Sequence, residues 1–207
     1  LRHSDHHWEY VSESISPDNI NPEVEVISVF VTSKVDRELM QSLPKLKLIA
    51  CRSTGFNNVD LRSAEEFGIT VVNVPSYGER TVAEYAFALI LTLTRKLKDI
   101  ANDPNTDDQI KFMGMDVFEK TIGVIGTGKI GSNVIRIAKG FGMRVLAYDP
   151  FPKPDLAKEL QFEYVDLDDL LSNSDIVTLH VPFMGNNRHF IDEVAFNKMK
   201  NGVIFIN

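Results

Sequence analysis

A glycine-rich run near the middle of the chain has the composition and spacing needed to hold a phosphate group. The run Gly126-Thr-Gly-Lys-Ile-Gly131 follows an apolar segment at 121–125 and precedes a segment with apolar residues at helical spacing. In this context Gly126 permits a tight turn, and Gly128 lets the backbone come close to a pyrophosphate. Gly131 lets the helix pack close to the strand. The strand before it and the helix after it are what a dinucleotide-binding turn requires.

An acid at the end of the next apolar segment completes the pattern. Asp149 follows the segment at 144–148 and lies eighteen positions after Gly131. A carboxylate there accepts hydrogen bonds from both ribose hydroxyls and repels a 2′-phosphate, so it selects NAD over NADP. The amides near Lys129 and Ile130 would donate to the pyrophosphate, with help from the helix dipole. The alternative is a glycine turn that serves packing only, with Asp149 as a solvated loop acid.

Histidine, cysteine and acidic residues elsewhere could suggest other chemistry, but their settings favour structural roles. His180 precedes Val181 and Pro182 at a predicted strand end and has no obvious carboxylate to orient it as a catalytic base. Cys51 ends an apolar run and is predicted to be a buried small hydrophobe. Two groups of residues resemble metal sites in composition only. The histidines His3, His6 and His7 lie near the start of the chain and have no defined scaffold. The acids of the second group flank a predicted short helix: Asp166, Asp168, Asp169 and Asp175.

Alternation of apolar and polar segments predicts an α/β fold with parallel sheets. Strands are predicted at 26–31, 46–50, 69–74, 121–125, 144–148, 162–165, 176–181 and 203–206. Helices are predicted at 37–43, 129–139, 154–160, 167–171 and 192–200, with a longer one after residue 81.

That longer helix is predicted to begin with a capping box, Thr81-Val-Ala-Glu84, in which the Thr caps the helix and the Glu reaches back. The polar segment 98–116 that follows is predicted to be a connecting loop or arm, which gives two domains, 1–98 and 99–207. One face of the helix is predicted to be buried: Val82, Tyr85, Ala86, Leu89, Ile90, Leu93 and Leu97.

Composition excludes several classes of protein. The net charge of -7, with no basic run, makes nucleic acid or an anionic membrane a poor partner. A single cysteine excludes an internal disulfide and fits a cytoplasmic location. The most apolar stretch, 82–93, is too short to span a bilayer, and no secretory signal is visible. Because the chain lacks an initial Met and stops after a predicted buried strand, we expect a fragment.

Five motifs resemble the D-isomer-specific 2-hydroxyacid dehydrogenase family, in the family's order from about Val24 onward. They are Arg52-Ser-Thr-Gly-Phe-Asn-Asn-Val-Asp60, Asn73-Val-Pro-Ser-Tyr77, Thr81-Val-Ala-Glu84, Gly123-Val-Ile-Gly-Thr-Gly-Lys-Ile-Gly131 and Leu179-His-Val-Pro182. The Tyr after Val-Pro-Ser most resembles the D-lactate dehydrogenase branch. The resemblance implies a doubly wound, Rossmann-type NAD domain, incomplete at its C-terminus, and a smaller flavodoxin-like α/β substrate domain, incomplete at its N-terminus.

The resemblance also implies site residues. The amides of Thr54 and Gly55 would hold the substrate carboxylate, Tyr77 would line the substrate side, and Thr81 would lie near the nicotinamide. The remaining implied cofactor contacts are Gly126, Gly128, Lys129, Ile130, Gly131 and Asp149, with His180, Val181, Pro182 and Asn187 bordering the adenosine. The family's catalytic Arg, Glu and His would follow Asn207, so none of the catalytic residues is expected in this chain.

The resemblance implies hydride transfer between NAD(H) and a small 2-oxo or D-2-hydroxy acid, with pyruvate and D-lactate the best guess. It also implies a homodimer, which could use the arm that follows residue 97. Two alternatives stay open: an NAD-sensing binding module, like the corepressor relatives of this fold, or a truncated product that binds NAD weakly or not at all.

Overall fold

The computed structural model describes residues 6–104, 107, 109–182 and 189–207. The chain forms two compact units, Leu1–Tyr77 and Gly78–Asn207. This division comes before the long helix, whereas the sequence placed a domain boundary between residues 98 and 99. That boundary stays a prediction about functional domains.

The first unit is a small α/β layer. Its elements are β1 (Val26–Val29), α1 (Arg37–Gln41), β2 (Leu48–Cys51), α2 (Leu61–Glu66) and β3 (Thr70–Val72). The three strands are parallel and lie in the order β1-β2-β3. Alternate residues of β1 and β2 are buried against both helices, and Cys51 is among them, as predicted. Three strands are too few to test the flavodoxin-like topology, which stays a prediction.

The second unit is a larger parallel sheet with helices. Its elements are α3 (Glu79–Thr94), α4 (Leu97–Asn102), a 3₁₀ turn (Gln109–Phe112), β4 (Thr121–Ile125), α5 (Lys129–Gly140), β5 (Arg144–Tyr148), α6 (Pro154–Leu160), β6 (Glu163–Tyr164), α7 (Leu167–Asn173), β7 (Ile176–Leu179), α8 (Glu193–Lys198) and β8 (Ile204–Ile206). The strand order is β6-β5-β4-β7-β8, and every pairing is parallel. This is the doubly wound, Rossmann-type order, so the predicted fold class is confirmed.

The central strand β4 is almost wholly buried, because helices cover both faces of the sheet. On one side Ile122 and Val124 pack with Val134 and Ala138 of α5. On the other side Ile125 packs with residues of α7 and α8. A strand covered on both faces reads as a continuous apolar run, which is why the sequence predicted the bounds of β4 correctly.

The predicted capping box of α3 is wrong. The helix begins at Glu79 with Gly78 as its N-cap, so Thr81 lies inside the helix and is exposed, as is Glu84. The amide of Val82 donates to the carbonyl of Gly78 at 2.9 Å, which closes the first turn before Thr81 can act as a cap. Glycine is an acceptable N-cap, and the acidic Glu79 in the first turn favours the earlier start.

The predicted buried face of α3 is wrong in most of its members. Of the predicted residues Ala86 and Ile90 are buried, but Val82, Tyr85 and Leu93 are 43%, 65% and 55% exposed. The buried face is instead formed by Ala83, Ala86, Phe87, Ile90 and Thr94. Small alanines let α3 lie close to the rest of its unit, and the ring of Phe87 stacks on Phe141 at 5.4 Å. Val82, Tyr85 and Leu93 therefore lie on the exposed side of the helix.

The segment 98–116 is more structured than the predicted loop. The chain turns at Lys96, which has a left-handed backbone, and then forms α4 and the 3₁₀ turn. It returns to α3 through the amide of Met115, which donates to the carbonyl of Thr94 at 2.9 Å.

Within the described residues, none of the helices combines the length and apolar character needed to cross a bilayer.

Candidate cofactor site and anion-binding turn

The glycine-rich turn lies where the carboxyl ends of three strands of the second unit meet. The amide of Gly126 donates to the carbonyl of Tyr148 at the end of β5, at 2.8 Å. The amide of His180, after β7, donates to the carbonyl of Ile125 at 2.8 Å. Because β5 and β7 flank β4 on opposite sides, the strand order reverses here, and doubly wound sheets bind ligands at such a point.

Two glycines of the turn are required by the chain, and one leaves room for a ligand. Gly126 has a φ of 91°, and a Cβ on it would lie 2.6 Å from the carbonyl oxygen of His180. A Cβ on Gly131 would lie 1.9 Å from the carbonyl oxygen of Gly126, which no side chain can tolerate. A Cβ on Gly128 would meet nothing within 4 Å. The backbone at Gly128 is therefore open to close approach, as a pyrophosphate requires.

The start of α5 provides the positive end of a twelve-residue helix. Gly128 is the N-cap with extended backbone, no described side chain caps the helix, and the first turn carries no acid. The first amides of an α-helix have no intrahelical acceptor, so Lys129 and Ile130 present donors there. The ammonium group of Lys129 lies 3.5 Å from a carboxylate oxygen of Glu79 on α3. These residues fit a pyrophosphate.

Asp149 lies directly against the glycine-rich turn. Its Oδ2 accepts hydrogen bonds from the Thr127 amide at 2.7 Å and the Thr127 hydroxyl at 2.8 Å, and its Oδ1 accepts from the Phe151 amide at 2.9 Å. Burial opposes ionisation, but these hydrogen bonds and the charge of Lys153 hold the pKa of Asp149 below its usual range. The group is a carboxylate at neutral pH, which suits an unphosphorylated ribose.

A cavity of about 440 Å³ opens beside Asp149. Its walls come from the ends of β5 and β6 and from the start of α7: Tyr148, Asp149, Pro152, Tyr164, Val165, Asp166 and Asp169. Three of these side chains are carboxylates, and their negative charge disfavours an anionic group such as a 2′-phosphate in the cavity. The sequence predicted only a structural role for Asp166 and Asp169.

His180 is partly buried at the end of β7. Its Nε2 lies 2.8 Å from the hydroxyl of Thr178, and burial lowers its pKa to about 4. Among the residues that the structure describes, no carboxylate raises the basicity of this imidazole, which agrees with a binding role and not a catalytic one. Val181 is half-buried and Pro182 is exposed. The implied contact Asn187 lies outside the described residues.

The first unit contains a separate turn with properties suited to an anion. The Thr54 hydroxyl donates to the carbonyl of Val74 at 2.9 Å, and the Asn73 side-chain amide donates to the carbonyl of Thr54 at 2.8 Å. The Ser53 hydroxyl donates to the carbonyl of Gly55 at 2.7 Å. These bonds fix the turn, yet the amides of Thr54 and Gly55 donate to no other described residue. Two such amides can bind a carboxylate.

Tyr77 and Thr81 are exposed in their own units. Tyr77 is the last residue of the first unit and is 60% exposed, and Thr81 lies near the start of α3 in the second unit. Either side chain is accessible to a ligand. Their roles beside substrate and nicotinamide stay predictions.

The residues weighed for metal chemistry have structural partners or lie on the surface. Asp168 pairs with Lys198 at 2.6 Å, and Asp175 accepts a hydrogen bond from the Thr121 amide at 2.9 Å. His6 and His7 are exposed, and His3 lies outside the described residues. Among the described residues, no three His, Cys, Asp or Glu side chains come together as metal ligands would.

Sequence reasoning missed two residues of the site, Thr127 and Tyr164. The hydroxyls of these residues lie 2.8 Å apart, although they are 37 positions apart in the chain. The position of Thr127 between two glycines of the motif was a signal that could have been used. Nothing local to Tyr164, in a two-residue strand, distinguishes it from a packing residue.

Both parts of the chain match family models. Residues 3–136 match the catalytic domain of D-isomer specific 2-hydroxyacid dehydrogenases, and residues 87–207 match the NAD binding domain of the same proteins. D-lactate dehydrogenase of Escherichia coli is 46% identical over 88% of this chain. The match covers 56% of that relative, so the chain spans little more than half of its length.

Solved structures give the same answer. The apo-structure of D-lactate dehydrogenase from Escherichia coli matches with a TM-score of 0.82 and 44% identity, over 88% of this chain and 59% of that one. D-lactate dehydrogenase from Aquifex aeolicus, complexed with NAD and lactic acid, matches with a TM-score of 0.79 and 41% identity, over 90% and 56%. The chain therefore belongs to the D-isomer specific 2-hydroxyacid dehydrogenase family, and its second unit carries that family's NAD-binding fold.

Proposed function

We propose that this chain belongs to an enzyme that transfers a hydride between NAD(H) and a small 2-oxo or D-2-hydroxy acid, and that pyruvate and D-lactate are the preferred pair. The observation that carries the proposal is the carboxylate of Asp149, held 2.7 Å from the Thr127 amide at the switch point of the sheet. Placement of an ionised acid beside a phosphate-binding turn favours a dinucleotide with an unphosphorylated ribose.

In this proposal the second unit orients the cofactor. NADH, when bound, supplies the hydride. The amides at Lys129 and Ile130 hold the pyrophosphate, and the open backbone at Gly128 permits its approach. Asp149 binds the ribose, while its charge opposes a 2′-phosphate. His180, Val181 and Pro182 border the adenosine, and Thr81 borders the nicotinamide.

The first unit would orient the substrate. The amides of Thr54 and Gly55 donate to the substrate carboxylate, and the exposed ring of Tyr77 lines the substrate side. In this proposal the residues named here bind and orient the reactants. The choice of D-lactate is supported by Tyr77 and by the D-lactate dehydrogenases among the relatives.

The activity is tested with purified full-length protein. NADH oxidation should be seen with pyruvate or a close 2-oxo acid, and NADPH should be a poorer reductant. Lack of turnover across a panel of such acids would refute the proposed activity. If NADH still bound under those conditions, an NAD-sensing module would be the better assignment.

A homodimer and a cytoplasmic location complete the proposal. The single cysteine is buried, which suits a reducing compartment. The arm that follows α3 carries several exposed apolar side chains, among them Leu97 and Met113 at 50% and 69%. Exposed apolar clusters of this kind are typical of subunit interfaces.

A further inference from the structure

A line of hydrogen-bonding groups leads from the loop after β5 to the carboxylate of Asp149. The Lys153 amide lies 3.2 Å from the hydroxyl oxygen of Tyr164. That hydroxyl lies 2.8 Å from Oγ1 of Thr127, which lies 2.8 Å from Oδ2 of Asp149. The four groups therefore connect the edge strand β6 to the glycine-rich turn.

The direction of every hydrogen bond in this line follows from chemistry. An ionised carboxylate only accepts, so the Thr127 hydroxyl must donate to Asp149. With its one proton used, Oγ1 of Thr127 accepts from the Tyr164 hydroxyl. The Tyr164 oxygen in turn accepts from the Lys153 amide. Each hydroxyl donates once and accepts once, so only one proton arrangement satisfies all four groups.

Burial makes this arrangement resistant to change. Thr127 is fully buried, and Tyr164 is half-buried with its ring edge-on to Phe162 at 4.9 Å. The fully buried hydroxyl of Thr127 cannot turn to water when it loses its partner, so breaking the line leaves that polar group unsatisfied.

The line also decides which oxygen of Asp149 can serve a ligand. A carboxylate has about four acceptor positions. Thr127 occupies two on Oδ2, and the Phe151 amide occupies one on Oδ1. The remaining position lies on Oδ1. A single ribose hydroxyl can be accepted there, whereas a second one must compete with Thr127 for Oδ2.

We propose that Thr127 and Tyr164 are positioning residues that hold Asp149 with Oδ1 available to the ribose. Discrimination against a 2′-phosphate then depends on this line as well as on the charge of Asp149. The inference rests on the proposed NAD site and adds to it the residues that orient its acid. Among the described residues, the charged groups near Asp149 include Lys153 on the adjoining loop and Asp166 and Asp169 across the cavity.

The first test compares NADH and NADPH binding to the full-length protein by calorimetry, with thermal unfolding measured in parallel. Tyr164→Phe and Thr127→Val should each weaken NADH binding about 3- to 10-fold, as expected for loss of one hydrogen bond. NADPH binding should be unchanged, so the Kd for NADPH divided by the Kd for NADH falls by the same factor. Thr127→Ser should restore the wild-type ratio. Tyr85→Phe removes a hydroxyl from an exposed ring of the same unit and should change nothing.

The double variant separates a shared line from two independent effects. Because both substitutions break the same line, Thr127→Val with Tyr164→Phe should be no weaker than Thr127→Val alone. Fully additive losses, or equal losses for NADH and NADPH, would overturn the positioning role and indicate general damage to the fold.

A readout without nucleotide distinguishes failure of this inference from failure of the proposed function. NMR titration of the Asp149 carboxyl carbon should give a higher pKa in Thr127→Val than in wild type, because a donor to the ionised form is lost. An unshifted pKa with an unchanged Kd ratio would refute the positioning role. A shifted pKa in a chain that binds neither nucleotide would support the positioning of Asp149 and refute the NAD site itself.

Discussion

At the scale of single residues, the candidate cofactor site combines a negative charge with glycines that pack closely against carbonyl oxygens of the chain. Asp149 provides the charge, and its pKa is held low by donors from Thr127 and Phe151, although burial opposes this. Gly126 and Gly131 allow this close packing, since a side chain on either residue would collide with a carbonyl oxygen. The charge at Asp149 and the close packing at the two glycines are therefore separate properties of neighbouring residues.

The charge of Asp149 is predicted to select the nucleotide. Asp149→Asn should weaken NADH binding about 10- to 100-fold, the cost of losing a charge-assisted hydrogen bond. Binding of NADPH should be unchanged or stronger, because repulsion of its 2′-phosphate is removed. Calorimetric titration of both nucleotides measures the effect, with the exposed Asp155→Asn as a charge-matched control. Retention of the full NADH preference in Asp149→Asn would contradict this role.

Two glycine substitutions should separate folding from binding. Gly131→Ala places a Cβ 1.9 Å from a carbonyl oxygen, so it should destabilise the fold by about 1–3 kcal/mol. Gly128→Ala meets no atom of the chain within 4 Å, so its unfolding temperature should stay near wild type while NADH binding weakens at least 10-fold. Thermal melts and calorimetry distinguish the two results. Equal stability of both variants would show that the packing at Gly131 is less tight than described.

At the scale of elements, the edge of the sheet opposite the site is held by one acid. Asp175 precedes β7, and its side chain accepts from the Thr121 amide at 2.9 Å and from Lys200 at 2.8 Å. Its own amide donates to the carbonyl of Thr121, and its carbonyl accepts from the amide of Ile204. Asp175 thus connects the amino ends of β4, β7 and β8. Stable strand ends here keep the carboxyl ends of the same strands in register.

The contribution of Asp175 should depend on pH. Burial opposes ionisation, but Lys200 and the Thr121 amide lower the pKa of Asp175 below the ordinary 3.8. A lowered folded-state pKa stabilises the protein above the unfolded value, and this stabilisation is lost as the pH falls through the folded value. Asp175→Asn should therefore cost about 1 kcal/mol at pH 7, and much less at acid pH, below 3.8. Urea unfolding at both pH values checks this, and a pH-independent difference would contradict it.

At the scale of the whole molecule, the two compact units carry different parts of the proposed chemistry. The turn at Thr54 and Gly55 belongs to the first unit, and the glycine-rich turn and Asp149 belong to the second. Helix α3 belongs to the second unit by its packing, although its sequence looked like the end of the first. Its apolar residues Val82, Tyr85 and Leu93 are exposed on the surface.

The proposed homodimer can be tested at two exposed apolar residues of the arm that follows α3. Leu97→Lys with Met113→Lys places two charges on side chains that are 50% and 69% exposed, so the monomer should remain folded. If these residues lie in a subunit interface, the double variant should shift the protein from dimer to monomer in light scattering. The matched control is Phe151→Lys, at 82% exposure on a different loop. A wild-type protein that is monomeric at micromolar concentration would refute the proposal.

The sequence by itself determined the glycine-rich turn, the acid after the next strand, and the positions of most strands and helices. These features depend on local properties, namely apolar runs, helical spacing and glycine at positions where backbone sterics demand it. The bounds of β4, β5 and α6 agree with those predicted.

Only the tertiary structure decided which face of α3 is buried, where that helix begins, and how Asp149 is oriented. The buried face of α3 includes small alanines that allow its neighbours to pack closely. The periodicity of apolar residues in the sequence does not predict this close packing. The line from Tyr164 through Thr127 to Asp149 joins residues 37 and 22 positions apart. Contacts of that range exist only after the parallel strands have paired, because pairing is what brings the ends of β4, β5 and β6 to one edge of the sheet.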